Sequence, residues 1–360
     1  MSPLEVRRNV GSFFVRHPTF KSVESEIHEI IKLGRADVEA DCVLVTSPSG
    51  TGKTTLFRRL KRVYDPEGRR VRRQVALPKS PTEVSAPHVP VLFFECDTLP
   101  RPIAMVQGFL KELGDPNWDK GRFHDCCHKL DDMLDACGTT TIVLDEVQRL
   151  VDQTGVITSQ TILEELKRIH GRHGLSLVFL GLGRIKYILE EDAQLRDRWS
   201  LELRLQGFQC FRYKVDGDTA SKVVDEEQWR TWQSILRSLQ EKTGLHSDKL
   251  LSSDDYAERI YLATAGVLRR LKTLLKRSLM LLAEQGQEEV NLDVLALAFD
   301  DIGKSRGPNP FRAETTDTLP LPIIDDDYKL KPPSKQRRVQ KAADARSPDA
   351  GAAIINALRR

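Results

Sequence analysis

One short stretch, SPSGTGKT at 47–54, constrains the fold of this chain more than any other feature of the sequence. The apolar run Cys42–Val45 precedes it and predicts a buried strand, whereas Leu56 and Leu60 follow it at helical spacing. A strand, a glycine-containing turn and a helix are the context of a phosphate-binding loop, G-x-x-x-x-G-K-[ST], and Ser47 departs from that motif. The stretch therefore predicts an α/β fold that presents this loop to a phosphorylated ligand.

The chemistry of such a loop assigns roles to its residues. Backbone N–H groups and the helix N-terminus would face the phosphates. Lys53 would reach the β- and γ-phosphates and the Thr54 hydroxyl would hold Mg²⁺, so the expected ligands are ATP and Mg²⁺. Ser47 fits the loop if its φ is negative. The predicted nucleotide-binding residues of the loop are Pro48, Ser49, Gly50, Thr51, Gly52, Lys53, Thr54 and Thr55.

Two carboxylates, Asp145 and Glu146, close a second apolar run, TTIVLDE. An Asp at the carboxyl end of a strand beside the loop can orient the water shell of Mg²⁺. The adjacent Glu can polarise an attacking water. The pair predicts a metal-orienting acid at Asp145 and a catalytic base at Glu146, hence ATP hydrolysis.

Further apolar runs predict the organisation of the chain. Strands are expected at Val89–Cys96, around 175–182 and around 201–205, with helices between them, which indicates a parallel sheet covered by helices on both faces. After about Gly207 the pattern predicts helices only. The expected units are an N-terminal segment with a helix (1–35), an α/β core (36–207), a helical lid (208–306) and a disordered tail (307–360) that binds partners.

The tail is predicted from composition. Residues 313–360 contain five prolines, the acidic triplet 325–327 and the basic run KLKPPSKQRRVQK. Such a segment lacks the apolar periodicity of a packed core.

Overall composition limits the protein class. With 40% hydrophobic and 30% charged residues, the chain is typical of soluble proteins. No apolar run approaches the length of a membrane span, and MSPLEVRRNV lacks the apolar segment of a signal peptide. The six cysteines form no C-x-x-C pair, which indicates neither a zinc site nor a disulfide framework and favours reduced thiols in a reducing cytoplasm. A net charge of +3 is too small to identify a nucleic-acid binder by itself.

These motifs together resemble the AAA+ ATPases. SPSGTGKT is similar to the AAA+ loop GPPGTGKT at six of eight positions, and IVLDEVQRL, LRDRW and the helical lid follow in the family's order. More narrowly, the chain resembles the TnsC/TniB transposition regulators. The stretches that carry this resemblance are FFVRHPTF, the loop, LDEVQRL, LVFLGLGRIKYILEEDAQLRDRW, ATAGVLRRLKTLLKRSL and NPF, over about residues 10–312.

The resemblance implies further site residues. Arg198 matches the arginine finger that acts on a neighbouring subunit, with Arg196 as the alternative, and such a finger requires a homo-oligomer, either a ring or a helical filament. The lid arginine that senses nucleotide would be Arg269 or Arg270. Where the family commonly has a polar residue after the fourth strand, this chain has Leu182. We therefore expect slow hydrolysis that a partner stimulates.

Two regions could contact DNA. The segment 58–73 carries eight Arg/Lys against two acids, which would suit either a phosphate contact or a solvated surface. The resemblance points instead to Arg101, Lys120 and Arg122, near predicted helix N-termini on the inner face of a ring.

The function that the sequence favours is an ATP-dependent regulator of DNA transposition. It would oligomerise on duplex DNA without sequence preference, recruit or activate a transposase together with a target-selector protein, and disassemble on hydrolysis. Two alternatives stay open. One is a signalling ATPase of the STAND type that does not bind DNA, and the other is a helicase loader or initiator, although no winged-helix pattern follows the lid.

Overall fold

A five-stranded parallel sheet forms the centre of the structure. The computed structural model describes residues 3–34, 40–65, 72–76, 83–97, 101–152, 156–186, 199–216, 219–303 and 307–322. The strands are β1 Cys42–Thr46, β2 Arg72–Ala76, β3 Glu83–Pro87, β4 Val91–Glu95, β5 Thr141–Asp145, β6 Ser176–Gly181, β7 Trp199–Arg204, β8 Phe211–Asp216 and β9 Thr219–Val224. The sheet has the order β4-β5-β6-β1-β7, and β2–β3 and β8–β9 form separate antiparallel pairs.

Helices cover both faces of the sheet, which confirms the predicted α/β sandwich. The helices are α1 Pro3–Ser12, α2 Pro18–Leu33, α3 Lys53–Tyr64, α4 Pro102–Glu112, α5 Phe123–Ala136, α6 Arg149–Asp152, α7 Val156–His173, α8 Glu226–Thr243, α9 Asp254–Thr264, α10 Leu268–Gln285 and α11 Leu292–Ile302. One face of the sheet is covered by α2 and α3, which bury Ile27 and Leu56. The other face is covered by α4, α5 and α7, which bury Phe109, Leu130 and Leu166.

The predicted strands of the sheet are all present. The three central strands β1, β5 and β6 read as continuous apolar runs because both faces of the sheet are covered there, and every residue of these strands is buried. In the described part of the chain, none of the helices is long and apolar enough to cross a membrane.

The second domain packs its helices α8 to α11 around a separate core. Trp232 at the centre of this core is fully buried, and its Nε1 donates to Ala257 O at 3.0 Å. The unpredicted helix α1 belongs to the same core, because Val6 and Val10 are buried in it. The N-terminal segment thus divides between the two domains, with α1 on the helical domain and α2 on the sheet.

The expectation that only helices follow residue 207 is wrong, because β8 and β9 form a hairpin there. Their register runs from Phe211 opposite Val224 to Asp216 opposite Thr219. The sequence carries the signal: apolar Phe211, Tyr213 and Val215 alternate with polar residues and end at an Asp-Gly pair, as in many hairpins. This alternation of period two indicates a strand rather than a helix.

The first residues of the predicted tail, 307–322, are ordered on the helical domain. Phe311 is 5% exposed in the core of the helical domain. Buried Arg259 donates to Pro310 O at 2.6 Å and to Ala313 O at 2.8 Å. Leu321 packs against the same core, so residues 307–322 are part of the helical domain. The remaining residues of the predicted tail, 323–360, lie outside the described part of the chain.

Gly266 fixes the junction between the two domains. Its φ is +65°, and a Cβ built there would lie 2.4 Å from Phe208 O in the segment that leads out of the sheet. Phe208 N also donates to Gly266 O at 3.1 Å. The junction therefore requires a residue without a side chain at this position.

We expect Gly266→Ala to lower the free energy of unfolding by about 2–4 kcal/mol, from backbone strain and overpacking together. Gly286 is the matched control, because its φ is also +65° but a Cβ there would have no atom of the described ranges within 4 Å. Gly286→Ala should cost only about 1 kcal/mol. Urea unfolding of both variants measures the difference, and equal losses would contradict the close contact at Gly266.

Candidate nucleotide-binding site

The loop 47–52 joins β1 to α3 and lies at the carboxyl end of the sheet. Gly50 and Gly52 have φ of +90° and +121°, and Gly52 is the N-cap of α3. Of the residues other than glycine in the described ranges, only Glu146 and Ala265 have positive φ, so Ser47 does not need the conformation that favours glycine. Ser47 Oγ instead hydrogen-bonds Thr51 Oγ1, which explains how the loop accommodates the departure from its motif.

Lys53 opens α3 and points back into the loop. Its side chain is buried, and Nζ donates to Ser47 O at 2.6 Å and to Pro48 O at 3.1 Å. A buried ammonium at the N-terminus of a helix, beside a glycine-containing loop, favours the binding of phosphate. The residues 49–55 line one pocket together with Glu146. The structure thus brings the predicted loop residues and the predicted base together.

Asp145 ends β5 beside this pocket and is 1% exposed. Its Oδ1 accepts from Glu146 N at 2.8 Å, whereas the buried Oδ2 has no hydrogen-bond partner among the residues that the structure describes. Burial raises the pKa of the Asp145 carboxyl to about 6, and the nearby Glu146 adds to the shift while Lys53 opposes it. An orphaned carboxylate oxygen of this kind fits a cation such as Mg²⁺, which Thr54 in the pocket wall would also hold.

Glu146 has a backbone conformation that is unusual for its residue type. Its φ is +59°, which costs about 1–2 kcal/mol in a residue with a side chain. The turn is held by the hydrogen bond from Glu146 N to Asp145 and by another from Arg149 N to Glu146 O at 3.0 Å. This sharp turn after β5 directs the half-buried Glu146 side chain into the pocket. Strained backbone of this kind is concentrated at functional sites.

The helical domain closes the pocket through the start of α10. A Cβ on Gly50 would lie only 2.9 Å from Arg269 Cβ, so the loop and the lid are in close contact. Arg269 lines the pocket, as does Lys272 one turn later. Arg270 is not among the lining residues. Of the two candidate sensor arginines, Arg269 is therefore the one whose position suits contact with a bound phosphate.

An N-terminal strap, residues 13–17 between α1 and α2, forms the apolar wall of the pocket. Phe13, Phe14 and Val15 line it, as does His17. His17 caps α2, since Phe20 N donates to its Nδ1 at 3.4 Å, and burial lowers its pKa to about 4. The ring is thus neutral at pH 7. An aromatic, uncharged wall suits the flat face of a purine base.

The predicted DNA-contact residues lie at one end of a helix pair. Arg101 and Arg122 are the N-caps of α4 and α5, and Lys120 lies just before the second of them. All three are exposed. At the opposite ends of the helices Cys137 Sγ lies 3.8 Å from Leu113 O, so α4 and α5 run parallel and both N-termini face the same way.

Other sequence predictions lie partly or wholly beyond the described residues. Arg196 and Arg198, the two candidates for the arginine finger, fall in 187–198, outside that part of the chain. In the basic run 58–73, residues up to Tyr64 belong to α3, and Arg72 begins β2. The pair β2–β3 therefore carries the last arginines of this basic run, whereas Arg101 and Arg122 are the N-caps of α4 and α5.

Three features of the site were not identified from the sequence. The strap carries a visible signal, the aromatic-rich FFVRHPTF, which runs into the first turn of α2. Gln148, 4% exposed, and Lys272 carry no such signal. Lys272 Nζ donates to Gly11 O at 3.2 Å, and burial beside Lys276 lowers the pKa of its ammonium. Their contacts depend on segments that are far apart in the chain.

Comparison with known proteins gives the same fold. Residues 36–189 match the family model described as an AAA domain. The Aeropyrum pernix ORC1 protein in complex with DNA aligns at a TM-score of 0.52 with 16% identity, covering 82% of this chain and 69% of that chain. The Aeropyrum pernix ORC2 protein, in ADPNP–ADP complexes, aligns at 0.51 with 16% identity, covering 82% and 71%. No curated protein matches the sequence significantly. Residues 36–189 are therefore similar to an AAA domain, and the chain has the fold of the AAA+ P-loop ATPases.

Proposed function

We propose that this protein is an ATP-hydrolysing switch that oligomerises on duplex DNA and regulates transposition. The observation that carries the proposal is the pocket between the two domains, where the loop, Glu146 and Arg269 meet. A triphosphate bound there would touch the sheet domain and the lid together. Its γ-phosphate would thus bias the angle between the domains, and that angle sets how neighbouring subunits pack.

The residues of the pocket have complementary tasks in this mechanism. Lys53 and the loop N–H groups bind the phosphates, and the strap holds the base. Asp145 and Thr54 would hold Mg²⁺, which when bound neutralises charge on the phosphate oxygens. Glu146 accepts the proton of the attacking water. Arg269 senses the γ-phosphate from the lid, and Arg198 reaches it from the next subunit. Leu182, where a polar residue is common in the family, is in keeping with slow turnover that a partner stimulates.

The DNA contact is proposed for Arg101, Lys120 and Arg122. Exposed cations beside two parallel helix N-termini combine full charges with backbone N–H donors, which suits phosphate. Contact with the backbone alone gives binding without sequence preference. Repetition of the same contact in each subunit of a ring or filament would multiply a weak affinity. Recruitment of a transposase and a target selector is inferred from the order of motifs shared with the TnsC/TniB regulators.

Replacing Arg101, Lys120 and Arg122 together by glutamine should weaken DNA binding on every sequence alike. The plot of log affinity against log salt concentration should become less steep, by about 0.9 for each DNA phosphate that a subunit no longer neutralises. The measurement is a salt titration by fluorescence anisotropy with two unrelated duplexes and a slowly hydrolysed ATP analogue. The control is the triple glutamine variant of Arg230, Arg237 and Lys242, exposed cations on the lid helix α8 with the same total charge.

A second variant tests the rival surface. Glutamine at Arg72 and Arg73 removes two charges from the hairpin β2–β3. If this variant loses binding while the triple variant of the helix N-termini keeps it, the basic hairpin is the DNA contact. If the control variant on α8 loses as much DNA affinity as the triple variant of the helix N-termini, the loss reflects only the change in net charge.

A second candidate function is that of a replication initiator or helicase loader. The similarity to the DNA-bound ORC1 protein favours it. The two candidates differ in their partners, a helicase in one and a transposase in the other. Electron microscopy with duplex DNA distinguishes the two candidate functions by the assembly that forms. An extended ATP-dependent filament favours the transposition regulator. A single closed assembly with an added helicase favours the initiator. ATPase activity that does not respond to DNA would count against both.

A further inference from the structure

Gln148 connects the candidate base to the end of a neighbouring strand. Its Nε2 donates to Glu146 Oε2 at 2.5 Å, and its Oε1 accepts from Leu182 N at 3.2 Å. The side chain is 4% exposed and lies in the wall of the nucleotide pocket. One buried amide thus bridges the turn after β5 and the end of β6.

The orientation of this amide is determined by its two partners. A main-chain N–H only donates, so the group facing Leu182 must be the Gln148 oxygen, and the NH₂ group then faces the Glu146 carboxylate. Gly181 leaves the necessary room, because a Cβ there would lie 2.7 Å from Gln148 Oε1 and 2.0 Å from Ile185 Cδ1. The contact with Leu182 uses its backbone, so it does not require a polar side chain at position 182.

A competing cation lies close to the same carboxylate. Arg149 Nε is 3.7 Å from Glu146 Oε2, and Arg149 also pairs with Glu95 at 3.4 Å and donates to Cys96 O. These contacts hold the guanidinium at the end of β4. On the side of the pocket, Glu146 shares the wall with the cations Lys53, Arg269 and Lys272, and it follows Asp145 in the chain. Without the Gln148 amide, Glu146 would be drawn toward Arg149 and away from the position of an attacking water.

We propose that Gln148 is a positioning residue that fixes the Glu146 carboxylate for ATP hydrolysis. The main-chain N–H of Leu182 anchors the Gln148 amide, so that no polar side chain is needed at position 182. The inference rests on the proposed function, since it assumes that Glu146 is the base. It gives β6 a direct link to the reacting water, because a shift of the strand end would move the amide and the carboxylate together.

The test is a double-mutant cycle with Gln148→Met, which keeps the length of the side chain and removes both hydrogen bonds. Loss of a hydrogen bond to a charged group should lower kcat about 10- to 100-fold, while nucleotide affinity changes less than about twofold. In an E146Q background the same change should have little further effect, because it acts through the carboxylate. Single-turnover assays with radiolabelled ATP measure the residual rates, and fluorescent nucleotide titration measures affinity.

Gln240→Met is the matched control for removal of the hydrogen bond to the backbone. Gln240 Oε1 accepts from Leu251 N at 3.0 Å in the helical domain, and within the described part of the chain no carboxylate accepts from its amide. Its kcat should stay at the native value. Equal losses from Gln148→Met in the native and E146Q backgrounds would reveal a merely structural role and overturn the inference.

The outcomes also separate this inference from the proposed function. If E146Q is inactive and Gln148→Met has the native kcat, the inference fails and the role of Glu146 stands. If E146Q hydrolyses ATP at the native rate, Glu146 is not the base, and the inference fails together with that part of the proposed function.

Discussion

The Lys53→Ala variant is expected to lose ATP binding and, with it, any ATP-dependent assembly. The buried ammonium is the one charge that the loop itself supplies, and it already lies against Ser47 O and Pro48 O. Hydrogen bonds to charged groups contribute about 1.5–3 kcal/mol each, so removing the bonds to two phosphates should weaken affinity roughly 10²- to 10⁴-fold. Titration with a fluorescent ATP analogue measures the effect.

Lys61→Ala is the control for this prediction. Lys61 lies two turns further along α3 and pairs with Glu112 at 3.3 Å near the surface. Its loss should leave nucleotide affinity unchanged, and thermal unfolding of both variants checks that the fold is intact. Native affinity in the Lys53→Ala variant would refute the assignment of the loop as the phosphate site.

The Glu146→Gln variant should bind ATP normally and turn it over about 10²- to 10⁴-fold more slowly, because it keeps the shape of the side chain and removes the base. Its complexes on DNA should therefore persist after ATP is added. Steady-state phosphate release and the lifetime of the DNA complex measure the two effects.

Glu95→Gln is the comparison that isolates the role of the base. Glu95 is a carboxylate at the same edge of the sheet, 57% exposed, and it shares Arg149 with Glu146. Removing its charge should lower the rate far less than removing the base, because Arg149 keeps its hydrogen bond to Cys96 O at the end of β4. Rapid turnover and normal disassembly in the Glu146→Gln variant would exclude Glu146 as the base.

The sequence was sufficient to predict the parallel sheet and the phosphate-binding loop. Strands buried on both faces must be apolar throughout, so runs such as Cys42–Val45 stand out in composition, and the loop motif identifies the helix that follows. The β8–β9 hairpin is not predicted, although its apolar and polar residues alternate, because helical periodicity dominates the sequence that follows it. Helix α1 was missed because only Val6 and Val10 mark its buried face.

The candidate site could be predicted only where one local segment supplies the chemistry. Lys53 and Asp145 each lie in a short motif with a fixed position relative to a strand. The bridge through Gln148 depends on the end of a strand 34 residues away, and the choice of Arg269 over Arg270 depends on how the lid meets Gly50. Neither relation has a local sequence pattern, since both arise from packing between segments that are distant in the chain.

The placement of α1 has a consequence for the order in which the protein folds. Lys272 and Gly11, which are 261 residues apart in sequence, are joined in one domain. During synthesis the sheet can form as soon as β7 has emerged, whereas Val6 and Val10 must wait until α10 is made before their apolar surface is covered. Closing so long a loop is slow, so the helical domain should be the last part to consolidate. The nucleotide pocket, which needs both domains, is thus complete only at the end of folding.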